Sequence, residues 1–167
     1  DGQYQLNKVM TSINNSITHY YGSNSAMTKK KEKPQHFAFA VKVTNDPILK
    51  DLMPEIKQLE PITINGRYNS VNDTIILKAV LPRIVYGPNT ISNAFINVST
   101  NDDAIVYKAG VDEVKNEQFK IFNSLLEGTL KDDILGYKFQ LRDQEKKDKY
   151  VIAGTMKSEN GNTEFHL

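Results

Sequence analysis

From position 62 to the end of the chain, apolar and polar residues alternate in short runs, and each run is followed by a short polar connection. The runs fall at 62–69, 74–86, 90–99, 104–115, 118–130, 133–143, 149–157 and 162–167, separated by NSVND, GPN, STNDD, KNE, LKDD, DQEKKD and SENGN. A period of two sends successive side chains to opposite faces of a strand, and connections this short and polar join neighbouring strands as hairpins. Such a pattern admits few folds, and the expectation is an antiparallel meander. The clearest run is 133–143, where Leu135, Tyr137, Phe139 and Leu141 share one face while Lys138, Gln140 and Arg142 share the other.

Ahead of the meander the period changes twice. Leu6, Val9, Met10, Ile13, Ile17 and Tyr20 recur at three- and four-residue steps, the mark of an amphipathic helix over 6–20. GSNSAMTKKKEKP follows as a small-residue, basic connection whose lysines read as a solvated linker. In HFAFAVKV, Phe37, Phe39, Val41 and Val43 line one face of a strand. A short helix comes next, capped by Asn45 or Asp46, entered through Pro47, apolar at Ile48, Leu49, Leu52 and Met53, and closed by Pro54 and Pro61. The chain thus divides into 1–35, helix and basic linker, and 36–167, an antiparallel β domain.

A sheet of eight or nine strands with an apolar face needs a cover, because a large exposed apolar patch on a soluble chain marks a binding surface. The two helices are too small to supply it. The sheet is therefore expected to close on itself as a barrel, a sandwich or a curled trough. Apolar residues on both faces of some strands, such as Ile75 and Leu77 opposite Ile76, disfavour a lipid-facing outer-membrane barrel. Three glycines, Gly66, Gly128 and Gly154, stand in apolar rows, each with an apolar residue two positions away on either side. Glycine there is expected to let the sheet bend, or to let the opposite wall or a ligand approach the backbone.

The residues offer little for catalysis. No nucleophile elbow, phosphate loop, dinucleotide fingerprint or zinc-protease motif occurs in the 167 residues. His19, His36 and His166 lack ligand spacing, and the pairs Asp102–Asp103 and Asp132–Asp133 fall in turns, where aspartate bonds its own backbone. No metal, cofactor or catalytic residue is expected. With 21 Lys+Arg against 20 Asp+Glu, bulk charge gives no reason to expect nucleic acid as a partner. There is no cysteine and no run of about 18 apolar residues to cross a membrane. The missing initiator methionine and the strand-like last run, GNTEFHL, suggest a piece of a longer chain.

With the strands placed, the segment DPILKDLMPEIKQLEPITINGRYNSVNDTIILKAVLPRIVYGPNTISNAFINVSTNDDAIVYKAGV resembles the periplasmic repeats of the TamB family of Bacteroidetes, translocation and assembly module proteins related to AsmA-like lipid-transfer proteins. The features are "DPILKDLMP", "ITINGRYNS", "IILKAVLPRIVYG", an I-x-N strand and a "DDAIVYKAGV" hairpin, continued by LEGTLKDDI and KYVIAGTMKSENGNTEFHL. The resemblance covers about 36–167 and implies a curled, trough-like sheet, a β-taco, in a periplasmic segment of a protein anchored in the inner membrane. It implies lipid transport to the outer membrane and outer-membrane biogenesis without enzymatic activity. Implied partners are phospholipid acyl chains, neighbouring repeats of the same chain and an outer-membrane protein of the TamA/BamA type. The lining it implies is an apolar inward row, for which the candidates are Phe37, Phe39, Val41, Ile64, Tyr68, Ile75, Leu77, Leu81, Leu126, Leu130, Leu135, Tyr137, Phe139, Leu141, Ile152 and Met156. The alternative is a structural module that packs its own core and joins repeats or a partner by strand addition.

Overall fold

A computed structural model describes residues 2–20, 33–101, 103–159 and 162–167. The expected basic linker falls mostly outside them. The elements are β1 (Gly2–Gln3), α1 (Leu6–Tyr20), β2 (His36–Val43), α2 (Pro47–Leu52), β3 (Ile56–Leu59), β4 (Ile62–Asn69), β5 (Thr74–Tyr86), β6 (Asn89–Asn101), β7 (Ala104–Lys115), β8 (Lys120–Lys131), β9 (Ile134–Arg142), β10 (Asp148–Glu159) and β11 (Asn162–His166). All strands belong to one antiparallel sheet in the order β1-β2-β4-β5-β6-β7-β8-β9-β10-β11, with β3 also paired to β5, and the sheet does not close into a barrel.

Hairpins carry the chain from β4 to β11, and their turns hold residues in the left-handed region: Asp73, Asp103, Asp132, Asp133 and Lys146, with Gly87 at the β5–β6 turn. Aspartate and glycine tolerate that conformation best, which is why these turns form where the sequence places them. α2 begins as its sequence dictates, with the Ile48 amide donating to the Asp46 side chain and Pro47 in the first turn.

Two short strands escaped the sequence reading. β1 pairs Gly2 with Phe37 and Gln3 with His36. β3 lies end to end with β4 against β5, and both keep one register, from Gln58 opposite Val85 to Asn69 opposite Thr74. In that register the position opposite Pro61 is Pro82. Neither proline has an amide hydrogen, so the ladder breaks there. The break continues across the sheet. Asn93 has φ 52° and its side-chain Nδ2 donates to Asp112 Oδ2 at 2.9 Å, Asn123 has φ 44°, and the register between β8 and β9 shifts between Phe122 and Ser124. Interruptions of this kind bend strands and tighten their twist, so the aligned set forms a transverse crease.

The sheet is curled. Tyr20 at the end of α1 donates its hydroxyl to the Asp73 carbonyl at 3.1 Å, and its own carbonyl accepts from the Asp133 amide at 3.2 Å. Those two turns, β4–β5 and β8–β9, stand four strand spacings apart, roughly 19 Å in a flat sheet. One tyrosine residue cannot bridge that distance unless the sheet wraps round it.

α1 spans the residues the sequence predicts, but it is rotated from expectation. The helix buries Ser12, Ser16 and Tyr20, whereas Met10 is 68% exposed and Ile17 also faces solvent. Serine hydroxyls win the inner position because the surface beneath offers polar partners. Ser16 donates to Asp73 Oδ1 at 2.6 Å and shares a 3.0 Å hydrogen bond with the Tyr68 hydroxyl. The other end of α1 is fixed by the Gln5 amide donating to buried Gln35 Oε1 and by Tyr4 packing on Phe37, ring centroids 5.4 Å apart.

Candidate functional site: an uncharged trough

Residues directly opposite one another across an antiparallel sheet share a face, so the register sorts the sheet into cross-strand rows. One row runs Val41, Ile64, Ala79, Ile96, Ala109, Leu126, Phe139, Ile152, from β2 through β10. Its neighbour on the same face is Phe39, Gly66, Leu77, Val98, Tyr107, Gly128, Tyr137, Gly154. Beyond that, Phe37, Tyr68 and Ile75 lead to Ile105, Leu130, Leu135 and Met156. On the other flank lie Val43 with Ile62, then Leu81, Ala94, Val111, Ser124, Leu141 and Tyr150.

None of these residues is charged. The opposite face carries Lys42, Arg67, Lys78, Lys108, Glu127 and Lys138, with Lys108 and Glu127 forming a cross-strand ion pair at 3.1 Å. All sixteen residues named from the sequence as candidate lining fall on the uncharged face, because a period of two fixes the face once one member is placed.

That face is the concave one. α1 lies on it, over Tyr68, which is 3% exposed, and Ile105 in the same cross-strand row is 7% exposed. Two rows further along, nothing described covers it, and Val41, Ile96, Leu126 and Ile152 are 40–51% exposed. An apolar groove of about 430 Å³ opens there. Its floor is made of small residues, Ala79, Ala94, Ala109 and Ser124, and its sides include Ile62, Leu81, Ile96, Leu126 and Phe139. Of the candidates from the sequence, Leu81, Leu126 and Phe139 border the groove, whereas Tyr68 is sealed beneath α1. The contributions of β6 and β7, Ala94, Ile96, Ala109 and Val111, were missed. The alternation A-x-I-x-V over 94–98 carried the signal, but alanine seldom reads as a lining residue.

The three glycines lie in a single row, within an unbroken ladder and at ordinary φ, while the breaks fall at the crease. Each one receives the ring of an aromatic residue from the strand before it: Phe39 over Gly66, Tyr107 over Gly128, Tyr137 over Gly154. A Cβ at Gly128 would strike the Gly136 carbonyl oxygen and the Tyr107 ring. The Tyr107 hydroxyl donates to that same carbonyl at 2.9 Å. Rings laid flat over glycines cover the sheet without standing up into the trough.

Titration is perturbed at two tyrosines. Burial raises Tyr20 above the ordinary 10.0, helped by the negative charges of Asp73 and Asp103, and burial alone raises Tyr107. Neither shift creates an acid or base near neutrality. Among the described residues no group of three His, Asp or Glu side chains is placed to hold a metal, and no helix is long and apolar enough to cross a membrane. His36 and His166 sit at opposite ends of the sheet order, in β2 and β11. Comparison of the chain with protein-family models, with curated proteins and with solved structures gave no match.

Proposed function

We propose that the chain is a non-catalytic segment of a TamB-like periplasmic protein, and that its concave face receives phospholipid acyl chains in transit between the inner and outer membranes. One observation carries this reading. An uncharged face spanning eight strands leaves four of the eight residues of its central apolar row, Val41, Ile96, Leu126 and Ile152, 40–51% exposed, above a groove whose size lies within the range of small-molecule sites. Hydrocarbon is the chemistry such a surface accepts, since each buried Å² of apolar area contributes about 25 cal/mol and no charged group has to be desolvated. The β-taco form, the inner-membrane anchor of the parent protein and a TamA/BamA-type partner belong to the same proposal and rest on the family resemblance.

The test is photocrosslinking from Leu126 and Phe139, with convex Lys108 as control, together with native mass spectrometry of protein purified from cells. Acyl lipid attached at the two concave positions and absent at Lys108 is the expected result. Failure to capture lipid from either, with the crosslinker shown to be active, removes the proposal.

A second reading draws on the sheet's edges. β1 covers two residues of β2, and no described strand lies beyond β11. Exposed edges invite strand addition by a neighbouring repeat or partner. Proline substitutions in the edge strands that abolished assembly while leaving lipid capture intact would establish this role beside the first.

A further inference from the structure

α1 occupies the same uncharged face that the lipid reading assigns to acyl chains, yet it is an ill-matched occupant. It turns Ser12 and Ser16 inward beside Tyr20, keeps Val9 and Ile13 only half-buried, and leaves Met10 in solvent. What holds its C-terminal half is a set of polar contacts to hairpin turns. Ser16 bonds Asp73 and Tyr68, Tyr20 bonds the Asp73 carbonyl, and the Asp133 amide bonds the Tyr20 carbonyl. Its N-terminal approach is tied down differently. Gly2 and Gln3 pair with β2, Tyr4 stacks on Phe37, and the Gln5 amide bonds Gln35, itself joined to Ser70 through both backbone groups. The helix is thus anchored at one end and latched at the other.

We propose that α1 is a releasable end-stop of the trough. Latched, it closes the Tyr68 and Ile105 end of the concave face. Unlatched at Ser16 and Tyr20, it pivots about the anchor near Gln5 and exposes two further apolar rows, so that a chain lying in the central groove can pass to the end of the face. The inference rests on the lipid reading for what passes, but the latch itself is testable without lipid.

The protein has no cysteine, so Ser16→Cys with Asp73→Cys places two thiols at a contact where the side chains already meet, and the oxidised form is used once mass spectrometry shows the disulfide, or a short bis-maleimide where it does not close. Phospholipid with a diazirine-bearing acyl chain is supplied in vesicles, and the crosslinked residues are mapped by mass spectrometry. The reduced protein is expected to be labelled at Leu126 and Phe139 and also at Ile105 and Leu130. Oxidation is expected to cut labelling at Ile105 and Leu130 at least tenfold while sparing Leu126 and Phe139. Equal labelling of Ile105 and Leu130 in both forms overturns the end-stop.

Hydrogen exchange on lipid-free protein provides the second arm. Ser16→Ala and Tyr20→Phe each remove hydrogen bonds of the latch and should speed exchange in the C-terminal half of α1 about fivefold, without change in β6 and β7. No change in α1, or a parallel change throughout the sheet, overturns the latch. Absence of label at Leu126 and Phe139 in either redox form defeats the lipid reading instead and leaves the exchange arm to decide the latch.

Discussion

Two stretches of the concave face differ by four residues along each strand, roughly 13 Å, and by almost everything in their surroundings. Tyr68 is sealed under α1 and Ile105 in its row is as deeply buried, while Ile96 and Leu126, on strands flanking β7 and pointing the same way, are 47% and 40% exposed. Their amino-acid chemistry does not separate them. What separates them is a helix whose inner side was made polar enough to bond the turns around it. Apolar character therefore says which face a residue belongs to, and the cover decides whether that face is core or site.

The sharpest way to break the comparison is by truncation. Tyr68→Ala should cost about 4 kcal/mol of unfolding free energy, as expected for a buried aromatic, and Leu126→Ala about 1 kcal/mol or less. Denaturant titration of both checks this, and equal costs would mean that the central row is covered in solution.

A second contrast lies within the trough. Gly128→Val should cost about 3 kcal/mol, because its new atoms meet a backbone carbonyl and a held tyrosine ring. Gly136→Ala should stay within about 0.5 kcal/mol, since a methyl there meets Thr129 at ordinary contact distance, 3.5 Å. Thermal melts of the two variants check these costs, and exchange of the Asp133 amide, which bonds the Tyr20 carbonyl across the curled sheet, tests whether Gly128 has the bending role expected from the sequence.

Smaller still is Ser16→Ala, about 1 kcal/mol, for loss of its bonds to Tyr68 and Asp73. A cost indistinguishable from zero would show that the polar seat of α1 adds nothing to the fold.

The smallest effect concerns pH. Tyr20 and Tyr107 have folded values above 10.0, so the unfolded chain ionises first as pH rises. The stability tied to their neutral forms is complete below about pH 10 and is lost as pH climbs through the raised values. Tyr20→Phe and Tyr107→Phe should each flatten that loss in denaturation curves taken between about pH 9 and 11.

Much of the fold could be read in advance, for local reasons. The strands over 62–69, 74–86 and 104–115 end where the structure ends them, because alternation stops at turns where Asp73, Gly87 and Asp103 adopt positive φ or where the Asn116 side chain accepts from the Gln118 and Phe119 amides. β3 was hidden because Pro54 and Pro61 bracket it and look like terminators, whereas its existence depends on pairing with β5. The orientation of α1 was hidden for a related reason. Periodicity ranks Met10 and Ile17 as inward residues, but the partners that draw Ser16 inward lie more than 50 residues away in Tyr68 and Asp73. The groove was half legible: the face followed from alternation, while the floor of alanines depended on which strands became neighbours.

The line from Pro61 through Pro82, Asn93 and Asn123 has a consequence for how the sheet comes apart. Elsewhere each strand is stitched to its neighbours along its length, so local opening would have to spread sideways through the whole sheet. At this line the stitching is missing across several strands at once. The tips of β5 through β8 and the bodies of the same strands can therefore melt as separate cooperative units, with amide protection dividing along the strand rather than between strands.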